Sequence, residues 1–206
     1  MNLQDMTLAD FLEKTGSSNP TPGGGALAAT TAATAVALIE MLANLTIGKK
    51  GYEDVQEQMQ AIADRMPAMR QTFLNLAQDD AQVFDAFMAA LRLPKDTEEE
   101  MAARKEQLQA CYKEAARVPF EIGTLAYDLF KDAETVIALG NKNAITDGII
   151  GAINARAAVK AAFLNVKINL PGIKDEAFVA DMSRTMTAME AKLDGEEARL
   201  IALGGY

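Results

Sequence analysis

Residues 26–47 read ALAATTAATAVALIEMLANLTI, and this stretch decides what kind of fold the chain adopts. It is long and apolar enough to raise the question of a membrane span. We interpret it instead as a buried central helix, because its side chains are mostly small and because Thr30, Thr31, Thr34 and Glu40 interrupt the apolar run. Small side chains let neighbouring helices approach closely, so the stretch predicts a protein built from packed helices.

On both sides of this stretch the chain also has helical patterns, and no segment alternates strictly between apolar and polar residues. With 206 residues, a single domain over 1–206 is expected. The prolines at 67 and 119 fall inside long helical patterns, and the first of them predicts a kink. We predict helices between Thr7 and Gly16, over 26–47 and 52–91, from Thr97 towards Leu139, over about 149–168, and from near Asp175 with a pause at Asp194-Gly195.

Composition excludes several classes of function. The chain has 20 basic and 29 acidic residues and a net charge of −9, which argues against binding to nucleic acid or to a membrane. It has no histidine and a single cysteine, Cys111, which excludes imidazole catalysis, histidine-bound metals and disulfides. Residues 1–11 lack the basic and apolar regions of a signal peptide. We therefore expect a cytoplasmic protein without a metal site.

A glycine-rich loop, Thr21-Pro22-Gly23-Gly24-Gly25, stands directly before the central helix. Glycines let backbone N–H groups approach a ligand, and a helix N-terminus favours negative charge. The loop is neither a Walker motif nor a dinucleotide fingerprint. Its alternative interpretation is a flexible joint or a close contact between helices.

Asp80 is the strongest candidate for acid–base chemistry. Helical spacing places it on one face with Leu76, Val83, Phe84 and Phe87. A carboxylate among apolar side chains loses hydration, which raises its pKa and suits it to proton transfer near neutral pH. The alternative is an aspartate that caps or pairs at a helix irregularity.

Other polar residues have two interpretations each. Glu40 either acts in a site or forms a buried ion pair with a lysine. Lys49 and Lys50 follow a helix, so they either complement its dipole or bind a substrate carboxylate. Asn165 and Asn169 are four residues apart, hence on one helix face, and need backbone or ligand partners.

A second polar loop spans residues 140–147. It contains Asn141, Lys142 and Asn143, whose side chains can hydrogen-bond a ligand. Thr146 or Asp147 has the alternative role of capping the next helix.

Six stretches in order over nearly the whole chain resemble the cyclodeaminase/cyclohydrolase family of folate one-carbon enzymes. The family's usual serine before the second-loop aspartate is Thr146 here. The matching stretches are residues 20–25, 43–50, 80–84, 92–97, 140–144 with Asp147, and 164–170.

This resemblance implies an all-α fold, a multihelical array of long and short helices like that of methenyltetrahydrofolate cyclohydrolase. It also implies a homodimer with tetrahydrofolate derivatives bound near the subunit interface, no cofactor beyond that substrate, and no metal. The family's proposed catalytic aspartate falls on Asp80, and Lys49, with Lys142 or Lys167, would balance the substrate carboxylates. The substrate-binding residues that we carry over are Pro22, Gly23, Gly24, Gly25, Asn44, Lys49, Asn141, Asn143, Asp147, Asn165 and Asn169.

Two activities follow from the resemblance: formiminotetrahydrofolate cyclodeaminase and methenyltetrahydrofolate cyclohydrolase. The first is slightly favoured, because the best-known site of the family deaminates. The residues themselves do not decide between them. The alternative of a different class is a non-catalytic helical dimer that binds folate or a protein partner.

Overall fold

The structure, a computed structural model, describes residues 2–206, so residue 1 of the predicted domain lies outside it. These residues form α-helices and short 3-10 turns and contain no strand, which confirms the all-α prediction. The helices are α1 (Leu8–Thr15), α2 (Gly24–Asn44), α3 (Gln56–Leu91), α4 (Glu98–Leu139), α5 (Ile145–Asn169) and α6 (Glu176–Leu203).

Helix α2 is the central helix, as residues 26–47 predict. It packs against α3, α4 and α5, and its Ala26, Ala29, Ala32 and Ile39 have no exposed surface. Small side chains allow this close packing. By length and composition α2 and the segment 142–172 could each cross a membrane, but about half of each is buried inside the fold, which is common for core helices.

Antiparallel packing joins α2 to α5 along their whole length. Gly24 lies against Asn165 at one end, and Gly148 lies against Leu42 at the other. Between them, Asn154 donates a hydrogen bond of 3.4 Å to the Thr34 hydroxyl. The N-terminus of α2 therefore lies beside the C-terminus of α5.

Local signals correctly predict the starts of three of the six α-helices in the described residues. Thr7 caps α1, Thr97 forms a reciprocal capping box with Glu100 in α4, and Asp175 caps α6. Within α1, only Phe11 of the predicted apolar stripe is buried, while Leu8 and Leu12 are exposed.

Five predicted boundaries were wrong. Helix α2 ends at Asn44 and not at residue 47, and helix α3 begins at Gln56 and not at residue 52. Helix α2 begins at Gly24, so two of the loop glycines are helical. Helix α5 begins at Ile145, so neither Thr146 nor Asp147 caps it. Helix α6 runs through Gly195 without a pause, because flanking contacts such as buried Leu193 and Leu200 hold it in place.

Candidate active site

A cavity of about 360 Å³ lies where the N-terminus of α2, the middle of α3 and the C-terminus of α5 meet. Helix α4 contributes one small residue to its wall. The lining residues are Pro20, Thr21, Gly23, Gly24, Gly25, Asp80, Val83, Phe84, Phe87, Ala115, Asn165, Ile168 and Asn169.

Asp80 is the one ionisable residue in this lining. It is half-buried, and its Oδ2 accepts a hydrogen bond of 3.0 Å from the backbone N–H of Ala26. Gly23, the residue that precedes α2, offers no side chain to cap the helix. The carboxylate of a different helix therefore satisfies one of the free N–H groups at the start of α2.

Gly25 makes this arrangement possible. A Cβ atom at Gly25 would overlap the carboxyl group of Asp80, so any other residue there would displace the acid. The glycine-rich loop is therefore required for a close contact between helices, which was the alternative interpretation. The same contact places the helix start at the edge of the cavity.

Burial raises the pKa of the Asp80 carboxyl from 3.8 to about 6, and the hydrogen bond from Ala26 opposes part of that rise. Val83, Phe84 and Phe87 supply the apolar surroundings on the same helix, as the helical spacing predicts. A carboxyl group with a pKa near 6 can accept or donate a proton close to neutral pH.

Two asparagines face the acid from α5. The side-chain nitrogen of Asn165 donates to the carbonyl of Ala161 at 2.9 Å. That of Asn169 donates to the carbonyls of Ala115 at 3.0 Å and Asn165 at 2.8 Å. Backbone carbonyls therefore orient both side-chain amides. The side-chain oxygens of the two asparagines accept no hydrogen bond from the described part of the chain. They are placed to accept one from a ligand.

The other predicted binding residues lie elsewhere. None of Asn44, Lys49, Asn141, Asn143 and Asp147 lines the cavity. These residues lie around the C-terminal end of α2. Helix α2 has 21 residues, and each adds 1.5 Å, so this end is about 30 Å from the first residue of the helix. We call these five residues the distal cluster. One chain by itself does not bring the two groups together.

Asn141 has a clear structural role within the distal cluster. Its backbone N–H donates to the Thr46 hydroxyl at 2.9 Å, and its side chain donates to the carbonyl of Leu45 at 3.1 Å. Its side-chain oxygen accepts from the N–H of Asn143 at 3.1 Å. This residue ties the loop before α5 to the end of α2.

Three further residues named in the sequence analysis lie outside the cavity lining. Glu40 pairs with Arg70 of α3 and not with a lysine, because α3 is the helix that packs beside it. Lys167 pairs with Glu190 at 2.7 Å, so it points towards α6. Pro22 is buried but does not line the cavity.

Several lining residues escaped the sequence reasoning. Ala115 enters from α4, and nothing in its local sequence marks it. Ile168 lies three residues after Asn165, a spacing that places both on one side of a helix, so this signal could have identified it. Pro20 and Thr21 were also not among the predicted binding residues, although Thr21 belongs to the glycine-rich loop and Pro20 comes directly before it.

We predict that Asp80→Asn stabilises the fold by about 1–2 kcal/mol at pH 7–8. The folded-state pKa is raised, so the charged form of Asp80 is disfavoured in the folded protein. The contribution of the Asp80 carboxyl to the stability of the wild type is fully present below its unfolded pKa near 3.8 and is lost as the pH rises through about 6. Urea unfolding of both proteins at pH 4 and pH 7.5 measures this, and equal stability at pH 7.5 would contradict it.

In residues 2–206 no three aspartate, glutamate or cysteine residues come together in a group that could hold a metal ion. The fold and the cavity together define an all-helical protein with a cavity of small-molecule size that contains one half-buried carboxyl group.

A family model described as formiminotransferase-cyclodeaminase matches residues 7–188. The chain is 36% identical over 194 residues to the methenyltetrahydrofolate cyclohydrolase of Methylorubrum extorquens, with 94% of this chain and 93% of that protein covered. It is similar in structure to the formiminotetrahydrofolate cyclodeaminase of Thermotoga maritima, with a TM-score of 0.86, 34% identity, and 98% and 96% of the two chains covered. The chain belongs to the formiminotransferase-cyclodeaminase family.

Relatives named formimidoyltransferase-cyclodeaminase are much longer than this chain. The formimidoyltransferase-cyclodeaminase of Sus scrofa is 31% identical over 200 residues, which are 93% of this chain and 37% of that protein. The chain thus spans little more than a third of the length of this relative.

Proposed function

We propose that this chain is a folate one-carbon enzyme that acts as a formiminotetrahydrofolate cyclodeaminase, a methenyltetrahydrofolate cyclohydrolase, or both. The observation that carries the proposal is Asp80, a half-buried carboxyl with a pKa near 6 at the edge of a cavity. The family resemblance assigns the catalytic aspartate to the same residue. Relatives named for each activity support the two reactions.

In the deamination, the formimino group of 5-formiminotetrahydrofolate is protonated, and N10 attacks its carbon to form a tetrahedral adduct. The Asp80 carboxylate accepts the proton that N10 loses. The resulting carboxyl group donates a proton to the exocyclic nitrogen, the bond between this nitrogen and the carbon breaks, and ammonia leaves. The product is 5,10-methenyltetrahydrofolate, and Asp80 is ionised again.

In the hydrolysis, water attacks the same carbon of the methenyl bridge. The Asp80 carboxylate removes a proton from that water as the new C–O bond forms. The hydroxyl group of the adduct then loses its proton to solvent as the C=O bond forms and the bond from the carbon to N5 breaks. N5 takes up the proton held by Asp80, and the formyl group stays on N10. The product is 10-formyltetrahydrofolate, so one carboxyl group at one carbon serves both reactions.

The ligand-facing oxygens of Asn165 and Asn169 would orient the N–H groups of the pterin ring beside Asp80. Val83, Phe84 and Phe87 would contact its flat apolar surface. Holding the reacting carbon next to the carboxyl group supplies much of the rate enhancement in such a site. We propose that no cofactor beyond the tetrahydrofolate substrate and no metal take part, and that a chain with one cysteine works in the reducing cytoplasm.

Purified protein mixed separately with 5-formiminotetrahydrofolate and with 5,10-methenyltetrahydrofolate tests the proposal and ranks the two activities. We expect ammonia release from the first or loss of the methenyl absorbance from the second, at least 10²-fold above the rate without protein. Binding of both compounds without turnover would favour the alternative, a non-catalytic folate-binding dimer.

We also propose that the protein is a homodimer. Helices α2 and α5 expose a continuous uncharged surface, which we call the α2/α5 face. Exposed apolar side chains gathered on one face are typical of an interface. The face consists of Thr34, Met41, Leu45, Ile150, Ile153, Leu164 and Ile168.

A further inference from the structure

The turn Leu170–Gly172 follows directly after the end of α5, which carries Asn165 and Asn169. None of its three residues lines the cavity. The position of this turn nevertheless affects the site, because the last residues of α5 run into it without a break. We call it the α5 turn.

Gln109 of α4 holds the end of the α5 turn with both groups of its side-chain amide. The nitrogen donates to the carbonyl of Gly172 at 2.8 Å, and the oxygen accepts from the backbone N–H of Lys174 at 2.8 Å. A carboxylate in this place could accept but could not donate. The amide therefore fixes the backbone at two points, on a segment more than 60 residues away in the chain.

Tyr112, three residues further along α4, contacts the same turn with its ring. A Cβ atom at Gly172 would overlap this ring, so the ring lies directly against the glycine. The ring also meets the edge of Phe87, a residue of the cavity wall, with 4.9 Å between the ring centroids. Tyr112 therefore joins the α5 turn to α3, the helix that carries Asp80.

A third contact brings α4 to the cavity itself. The carbonyl of Ala115, which lines the cavity, accepts a hydrogen bond of 3.0 Å from the side chain of Asn169. Gln109, Tyr112 and Ala115 follow one another at a spacing of three residues, which makes successive members of the row neighbours on the helix surface. One row of α4 residues thus links the end of α5 to α3 beside the cavity.

We propose that Gln109 and Tyr112 are positioning residues, which hold the α5 turn so that Asn169 stays in place to bind the substrate. Neither residue lines the cavity, so both act without touching the substrate. Support of this kind keeps a binding side chain within the narrow range of positions that a site requires. The inference rests on the proposed function, because it takes the occupant of the cavity to be a folate.

Gln109→Ala removes both hydrogen bonds to the α5 turn and leaves the cavity lining intact. We expect kcat/KM for the folate substrate to fall about tenfold, the size expected for the loss of one or two hydrogen bonds. The change should lie mainly in KM. We expect kcat to stay within about threefold of the wild type, because Asp80 keeps its hydrogen bond from Ala26.

Gln107→Ala is the matched control. This glutamine lies on the same helix, is exposed, and has its side-chain nitrogen 3.9 Å from the Cys111 sulfur instead of at the turn. Its replacement should leave KM and kcat within about twofold of the wild type.

A double variant separates positioning from a purely structural role. If Gln109 acts through Asn169, Gln109→Ala adds less than about twofold to the KM of an Asn169→Ala protein, because the side chain that it positions is already missing. A wild-type KM in the Gln109→Ala protein would overturn the proposal. So would an effect of Gln109→Ala that is equally large with and without Asn169.

A conservative pair of variants tests Tyr112. Tyr112→Phe keeps the ring and should retain the wild-type KM within about twofold. Tyr112→Ala removes the contacts with Gly172 and Phe87 and should raise KM about tenfold. Loss of the ring also lowers the free energy of unfolding, so kinetics are measured at a temperature where thermal unfolding shows the variant to be folded. A wild-type KM in the Tyr112→Ala protein would overturn the role of the ring.

Two further measurements separate this inference from the proposed function. The N–H of Lys174 donates to Gln109, so its hydrogen exchange should be faster in Gln109→Ala and unchanged in Gln107→Ala, whatever occupies the cavity. If the wild type binds 5,10-methenyltetrahydrofolate without turnover, the proposed reactions fail. The dissociation constant of that compound then replaces KM in each comparison, and the positioning of Asn169 is still tested.

Discussion

Replacing Asp80 by asparagine is expected to lower kcat by about 10²–10⁴-fold for whichever folate reaction the protein performs. The amide keeps the size of the side chain and can still accept a hydrogen bond from the N–H of Ala26, but it cannot take up or release the proton. Substrate affinity should change only a few-fold, because the cavity keeps its shape. Steady-state kinetics together with a binding titration measure both quantities.

Asp79→Asn is the matched control. Asp79 is the preceding residue on α3, it is exposed, and it does not line the cavity, so its replacement should leave the rate within about twofold. If the Asp80→Asn protein turns over folate as fast as the wild type, Asp80 is not the acid–base group. If neither protein turns over folate and both bind it, the chain is a binding protein.

Gly25→Ala should be nearly as damaging to activity, although it introduces only a methyl group. That methyl would overlap the Asp80 carboxyl, so the acid must move away from the start of α2. A displacement of about 1 Å at a reacting group costs on the order of 10²-fold in rate. We expect a loss of this size in kcat, measured with the same assay.

Gly24→Ala provides the neighbouring comparison for this prediction. A Cβ there would lie 3.2 Å from the side-chain nitrogen of Asn165 and would not touch Asp80, so a smaller loss is expected. Thermal unfolding separates a site effect from a folding effect, because alanine is by itself the better helix former by about 1 kcal/mol. Activity of Gly25→Ala within twofold of the wild type would show that the acid tolerates the displacement.

The surroundings of Asp80 show which features of the site a local sequence pattern can predict. Its spacing from Val83, Phe84 and Phe87 places an acid on an apolar helix face, and in the structure these four residues line one cavity. The same pattern gives no information about Ala26, whose N–H holds the carboxylate in place. That contact joins residues 54 positions apart.

The glycine-rich loop was harder to interpret from its residues. Three glycines before a helix fit an anion site, a joint or a close contact equally well. Only the position of α3 across from α2 shows that Gly25 makes room for the Asp80 carboxyl. The helix boundary also depends on it, because the cap at the start of α2 comes from another helix.

The family resemblance identified residues at both ends of α2 without indicating their separation. Asn165 and Asn169 lie with Asp80, whereas Lys49 and Asn141 lie at the other end. Motifs that follow each other along a chain carry no information about distance in space.

The sequence by itself determined the helical class, the starts of the three helices with capping side chains and the identity of the candidate acid, because helical periodicity, capping side chains and desolvation act over a few neighbouring residues. Tertiary structure decided which helix end faces Asp80, which partners hold Asn165 and Asn169, and how far Lys49 lies from them. Those features depend on the packing of helices that are distant in the chain, and no interaction within a single helix specifies that packing.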